Sequence, residues 1–420
     1  MKKSILALAV LGAFGGAAHA QSNITIYGAV DASLSYTNKI GISGKDAHGN
    51  DIAGKDTGGL MALDSGLIKG SRLGIKGVED LGGGLKAVFT IENGFTVDNG
   101  DAAQKGVLWG RQATVGLSGN FGTVLAGRQT DILADIGGIT SPGDFGGVVS
   151  RVHSLNLDRT NGERVNNSIR YNTPDFNGFT GSIIYGFGEQ AGQTGAGQSF
   201  GLGGMYANGP LNIGLGYFQS KMGSASSDVN GSAACNGAVE GKDKAGDTCL
   251  KTWTLAAAYQ FGPAKVYGSY SRVTLPLAKV PSEIAFNPKS NYSFASLARP
   301  KGRGAMPLYS MSDSDDFVIG GANNKSSSTL DIGVNYRLSP ALSLISSLQY
   351  TRAKFARSAD GRLLQINLGA KYDLSKRTTT YAVLRNLRSS DMYSVGLGKD
   401  REPGLDRSQT SISAGLIHSF

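Results

Sequence analysis

The chain has 420 residues, 62 of them glycine, with 11 prolines, 17% charged residues and 32 Tyr or Phe. That balance excludes an intrinsically disordered chain, which would be richer in Pro and net charge and poorer in large apolar residues. The formal charge is +9, from 41 Lys+Arg against 32 Asp+Glu, yet the basic residues are dispersed, which argues against a polybasic nucleic-acid tract.

The first element is a leader. Lys2 and Lys3 precede an apolar stretch from Ile5 to Phe14, followed by small residues and Ala18-His19-Ala20. A charged start, a short apolar stretch and an A-x-A site form a secretory signal. Residues 1–20 are therefore expected to be cleaved, leaving a mature chain from 21 to 420 that reads as one domain. Without Lys2 and Lys3 the balance is 39 Lys+Arg against 32 Asp+Glu, a net +7. The apolar part is too short to cross a bilayer as a helix, and no later stretch offers the roughly 20 apolar residues that crossing needs.

From Ile24 to the last residue the apolar pattern has period two. Ile24, Ile26, Val30, Leu34 and Tyr36 share one face, and Thr25, Tyr27, Asp31, Ser33 and Ser35 the other. The same split recurs at Trp253–Phe261, Leu330–Leu338 and Leu364–Leu374. Such segments are strands, and they are long for a soluble sheet. Their connections alternate between very short turns, such as Asn177-Gly178 and Gly262-Pro263, and long polar loops near 38–66, 130–163, 223–250, 275–325 and 389–407. These breaks delimit sixteen strands in eight hairpins. Short turns on one side and long loops on the other are the asymmetry of an antiparallel transmembrane β-barrel with short periplasmic turns. Closure follows because an open edge in lipid would leave backbone groups unsatisfied. Tyr36, Tyr171, Tyr185, Phe187, Phe261, Tyr336 and Tyr372 fit interfacial girdles; in a soluble protein they would be core, and the leader and turn asymmetry favour the membrane.

Cys235 and Cys249 lie in a polar, Gly/Ser-rich stretch of an exported chain, so a disulfide within one loop is expected. No metal or cofactor motif appears. Gly197-Gln198-Ser199-Phe200-Gly201 matches the nucleophile elbow of hydrolases, but that elbow needs a strand–turn–helix context and a histidine base. Here it leads into an alternating strand, so no enzyme is expected.

Several stretches resemble the trimeric general porins of Gram-negative bacteria, most closely the betaproteobacterial branch. They include Ile26-Tyr27-Gly28-Ala29-Val30-Asp31, Ser71–Gly77 continuing through Glu79–Ala87, Gly110-Arg111-Gln112 with Val115–Gly122, Asn167–Tyr171, Tyr372–Thr378 and Gly415–Phe420. The resemblance covers strands and turns along the mature chain; the long loops match nothing comparable. It implies a homotrimer in the outer membrane, surrounded by lipid and lipopolysaccharide, with a water-filled lumen for small hydrophilic solutes and inorganic ions. It also implies a third outer loop folded into the lumen, and a terminal Phe420 read by the barrel-assembly machinery.

Strand parity places Asp31, Arg72, Lys76, Lys86, Glu92, Arg164, Arg170, Asp331, Arg337, Lys371 and Asp373 opposite the apolar faces, seven cations against four anions. By resemblance, Arg72, Arg111 and Arg164 fall where wall arginines face acidic groups at the pore's narrowest level. Glu92 and the loop residue Asp144 are the candidate acids. Arg128 and Arg170 are weaker candidates for lumen charges beside Lys76 and Lys86. Arg111 poses a difficulty, since alternation from Val115 and Leu117 turns it toward lipid unless the register breaks. The expected function is passive diffusion with anion preference. A solute-specific channel of the same fold and a surface structural or adhesive barrel are the alternatives.

Overall fold

The computed structural model describes residues 23–45, 51–104, 107–140, 149–154, 158–160, 164–189, 191–192, 194, 198–220, 250–274, 324–355, 360–391, 396–398 and 406–420. The leader, Asp144, Cys235 and Cys249 lie outside the described residues, and so does most of the stretch at 275–325.

Alternation becomes an inside-out protein. In β1 (Asn23–Lys45) Ile24, Ile26, Leu34 and Tyr36 are exposed, while Asp31, Ser33, Ser35 and Thr37 are buried. In β11 (Leu250–Phe261) Trp253, Leu255, Tyr259 and Phe261 are exposed, and Thr252 and Thr254 buried. A water-soluble sheet would show the reverse. Exposed apolar side chains all round the wall meet their solvent only in a bilayer.

Among the described residues seventeen strands form one closed antiparallel sheet. After β1 come β2 (Asp51–Ser65), β3 (Arg72–Gly82), β4 (Leu85–Gly94), β5 (Gln112–Gly119), β6 (Gly122–Thr130), β7 (Arg164–Asn172), β8 (Phe179–Gly186), β9 (Ser199–Asn208) and β10 (Leu211–Ser220). Following β11 are β12 (Ala264–Thr274), β13 (Asn324–Arg337), β14 (Leu342–Phe355), β15 (Gly361–Asp373), β16 (Thr378–Ser390) and β17 (Ser408–Ser419). The wall nevertheless has sixteen positions. β2 pairs with β1 from Ala32 upward and β3 pairs with β1 from Ala29 downward, so the two share one position, interrupted at 66–71. β1 also pairs with β17, which closes the barrel. At that seam the backbones of Gly28 and Phe420 exchange two hydrogen bonds. A Cβ on Gly28 would lie 2.5 Å from Phe420 Cζ, so the terminal ring needs glycine there.

Two expectations change. The polar stretch 38–66 is mostly strand, because β1 and β2 prolong their ladder to Lys45↔Asp51. The break at 66–71 was not legible either. Asp31, fully buried, holds it by accepting the Ile68 and Lys69 backbone N–H groups, each at 2.8 Å, and the Tyr381 hydroxyl at 2.8 Å.

The third outer loop enters the lumen as expected. Its helix α1 (Ile132–Gly138) buries Ile132, Leu133 and Ile136 against the inner faces of β8 to β11. Glycines make the room: a Cβ on Gly203 would lie 2.4 Å from Ile132 Cγ2, and one on Gly214 2.6 Å from Ile139 Cδ1. Part of the glycine content thus serves as the seat of this helix.

Candidate pore constriction

The loop crosses from one wall to the other. Asp131 caps α1, accepting the Leu133 N–H at 2.9 Å. It is fully buried, and desolvation pushes its pKa up to about 7 against the backbone hydrogen bonds from Leu133 and Ala134. On the near wall Arg170 binds Asp135 of α1 and donates to the Thr130 carbonyl at 3.2 Å. Farther along lies a short turn, α2 (Arg151–Ser154). The Arg151 N–H donates to Gln365 Oε1 at 2.9 Å, and Gln365 Nε2 donates to the Val149 carbonyl at 3.1 Å. His153 Nδ1 meets Asp158 Oδ2 at 2.5 Å, and Nε2 meets Asp331 Oδ2 at 3.1 Å. Burial opposes a charged imidazole here. The Asp158 charge and hydrogen bond, then Asp331, outweigh it and push the His153 pKa up to about 10.

The charged cluster lies on β3 to β5. Glu92 receives Arg111 Nε at 2.5 Å on Oε1; on Oε2 it receives the Tyr27 hydroxyl at 2.9 Å, with Arg72 Nε at 3.8 Å. Lys76 Nζ lies 5.5 Å from the Tyr27 ring centroid. Two guanidinium groups therefore face one carboxylate, leaving local positive charge, and Lys76 adds to it. Arg111 reaches this face because it lies in a bend before β5 begins at Gln112, where strand alternation does not bind it. Val115 and Leu117 point outward as alternation requires.

The cluster adjoins the inward segment at 66–71, since a Cβ on Gly70 would lie 3.3 Å from an Arg111 terminal nitrogen. Leu67 and Ile68 of that segment pack against a cluster that Val149 of the third loop forms with Ile345, Tyr381, Val383 and Ile417. Arginines, inward segment and loop thus form one connected inner structure.

The other candidates separate. A bulge pairs Gly127 with Ser168 and Gln129 with Val165, turning Val165 into the core beside α1. Past this bulge the parity of β7 shifts by one residue at Arg164, which pairs with Thr130 and keeps its Nε buried. Arg128 likewise shares parity with the exposed Val124 and Ala126; its guanidinium lies at the bulge, donating to the Gly110 carbonyl at 3.0 Å and Asn166 Oδ1 at 2.5 Å. Lys86 pairs with Asp80 and Ser118 near the short-turn end. Arg385, 2% exposed, was missed; it donates to Ser411 Oγ at 2.9 Å. Alternation from the exposed Leu384 was the available signal. Ser199 opens β9 inside the sheet, so the elbow geometry is not formed.

The comparisons agree with this architecture. The Gram-negative porin family matches residues 7–392. This chain belongs to the Gram-negative porin family. It is 34% identical over 435 residues to outer membrane porin protein 32 of Delftia acidovorans, and 31% identical over 438 residues to an outer membrane porin protein of Bordetella pertussis, covering 100% of both chains in each case. An anion-selective porin from Comamonas acidovorans superposes with a TM-score of 0.61 at 26% identity, covering 95% of this chain and 100% of that one. The porin is a Gram-negative outer-membrane protein, and its relatives are channels.

Proposed function

We propose that this porin is a homotrimeric passive diffusion channel for small hydrophilic solutes and inorganic ions, with anion preference set by Arg72 and Arg111. The observation that carries the preference is the pairing of two guanidinium groups with the single carboxylate of Glu92, beside the inward segment that packs on the cluster holding Val149 of the third loop. Arginine stays protonated at any working pH, so the excess charge persists. The anion selectivity of the Comamonas acidovorans porin supports the same sign. In this reading lipid and lipopolysaccharide surround the trimer, the barrel-assembly machinery reads Phe420, and residues 1–20 are removed on export. Asp144, Arg164 and the lumen cations Lys76 and Arg170 tune the field.

Planar-bilayer recording across a salt gradient tests the proposal. Discrete conductance steps with a reversal potential of anion sign support it. Absence of steps overturns the channel reading, and a cation-sign potential overturns the preference.

A further inference from the structure

We propose that the inner wall near the periplasmic exit carries a second anion site, formed by Lys265, Arg337 and Asn335, whose ligand is a small protonated oxyanion of the hydrogen-phosphate type. The site goes beyond anion preference, because it predicts saturable binding at a place remote in the sheet from the Arg72 cluster.

A pocket of about 260 Å³ lies there, lined by Gln260, Gly262, Pro263, Lys265, Asn335, Arg337 and Ser343. The register builds it. Gln260 pairs with Lys265 and Lys265 with Asn335, forming one row across three strands; Arg337 and Ser343 pair in the next row toward the short turn. The Arg337 N–H donates to the Pro263 carbonyl at 2.8 Å, fixing the end of β13 against the β11–β12 turn. Among the described residues the lining holds two cations and no acid. Its volume is below the range of about 300–1,000 Å³ common for drug-sized ligands, and suits a compact ion with a few waters.

The decisive group is Asn335. It is 6% exposed, and among the described residues neither Oδ1 nor Nδ2 has a hydrogen-bond partner. Buried amides are almost always paired, so an orphan of both kinds at a pocket wall calls for a ligand or water. The chemistry selects among anions. Lys265 and Arg337 supply charge, Nδ2 donates to an oxyanion oxygen, and Oδ1 accepts from a ligand hydroxyl. Hydrogen phosphate carries both acceptor oxygens and a P–OH donor. Sulfate at neutral pH has no such donor and would leave Oδ1 unpaired.

The test is calorimetric titration of the purified full-length porin with inorganic phosphate and with sulfate, at low ionic strength. Expected are saturable phosphate binding and at least tenfold weaker sulfate binding. Lys265→Gln with Arg337→Gln should weaken phosphate at least tenfold, Lys265→Arg should retain it, and Asn335→Leu should abolish the preference over sulfate. Equal affinity for the two anions in the wild-type protein overturns the assignment and needs no variant to fold. Phosphate binding unchanged in the double variant overturns it too, placing the anion elsewhere. Chloride reversal potentials from the same preparations report the constriction separately. A pore with anion preference and no saturable phosphate refutes this site alone; saturable phosphate in a pore without anion preference refutes only the selectivity reading.

Discussion

His153 Nε2 lies 3.1 Å from Asp331 Oδ2, joining the third outer loop to a wall residue 178 positions later. Together with Arg170 and Asp135 on the opposite side, it makes the loop a bridge with a charged anchor at each end. The His153 anchor is pH-dependent with a definite sign. Its pKa in the folded protein is raised to about 10, so its contribution is complete below the unfolded value near 6.5 and fades as pH rises toward 10. Asp131, raised to about 7, acts in the same direction: burying its charged form grows costly as pH rises from about 4 to 7. Asp158 is shifted down, its burial outweighed by His153, so its share is lost only as pH falls below the ordinary carboxylate range. Loop docking should therefore be strongest in mildly acid solution and weaken above neutrality, read as more frequent current fluctuations at pH 9 than at pH 6. His153→Ala would leave two buried carboxylates facing each other, at a cost of about 3–5 kcal/mol. Fluctuations independent of both pH and this substitution would show that the bridge does not gate current.

The seat of α1 gives a steric test. Gly203→Val places atoms where Ile132 Cγ2 now lies. The helix must move off the wall, because overpacking of this kind costs about 1–3 kcal/mol. Altered single-channel conductance in a variant that still migrates as a folded barrel is the expected result. The outward-facing Leu202→Val next to it should leave conductance unchanged, since its side chain is exposed on the other face.

Asp31 should hold the inward segment. It accepts two backbone N–H groups and one hydroxyl, and hydrogen bonds to a charged group contribute about 1.5–3 kcal/mol each. Asp31→Ala should release residues 66–71 from the inner cluster, lowering the temperature of heat-modified migration and changing conductance. A variant with wild-type values of both would remove Asp31 from this role.

The wall was legible because its physics is local. Period two, short turns at Asn177-Gly178 and Gly262-Pro263, and the requirement for closure fix sixteen positions without knowledge of any contact. The interior was legible only in part. Arg72, Glu92 and Arg170 lie where alternation puts them, but Arg164 and Arg128 fall at a bulge where Asn166 and Asn167 face a single residue, which a count of two cannot see. At that bulge Asn167 and Gly127 take positive φ, +50 and +125, which alternation does not encode. The Asp31 anchor, the break at 66–71 and the His153 bridge depend on contacts across the lumen, between residues far apart in sequence. No periodicity encodes those.

Selectivity is the remaining test. The resemblance pointed to Arg72, Arg111 and Arg164 together; the geometry singles out Arg72 with Arg111, because these two share Glu92. At 0.1 M salt the Debye length is roughly 10 Å, so fixed charges in a narrow lumen act on every passing ion, and the effect should fade by 1 M, where it is about 3 Å. Replacing Arg72 and Arg111 together by Glu converts two cations beside one carboxylate into three carboxylates. That change should reverse the sign of the reversal potential at low salt. Glu92→Gln removes the opposing charge and should increase anion preference. The same Arg-to-Glu exchange at Arg164 should shift the potential less, since it pairs with Thr130 on β6, two strands on from the one that carries Glu92. If the Arg164 exchange moves the potential as far as the Arg72/Arg111 pair, the bulge does not decouple it and the field is spread along the wall. If none of the three moves it, the long outer loops set the sign.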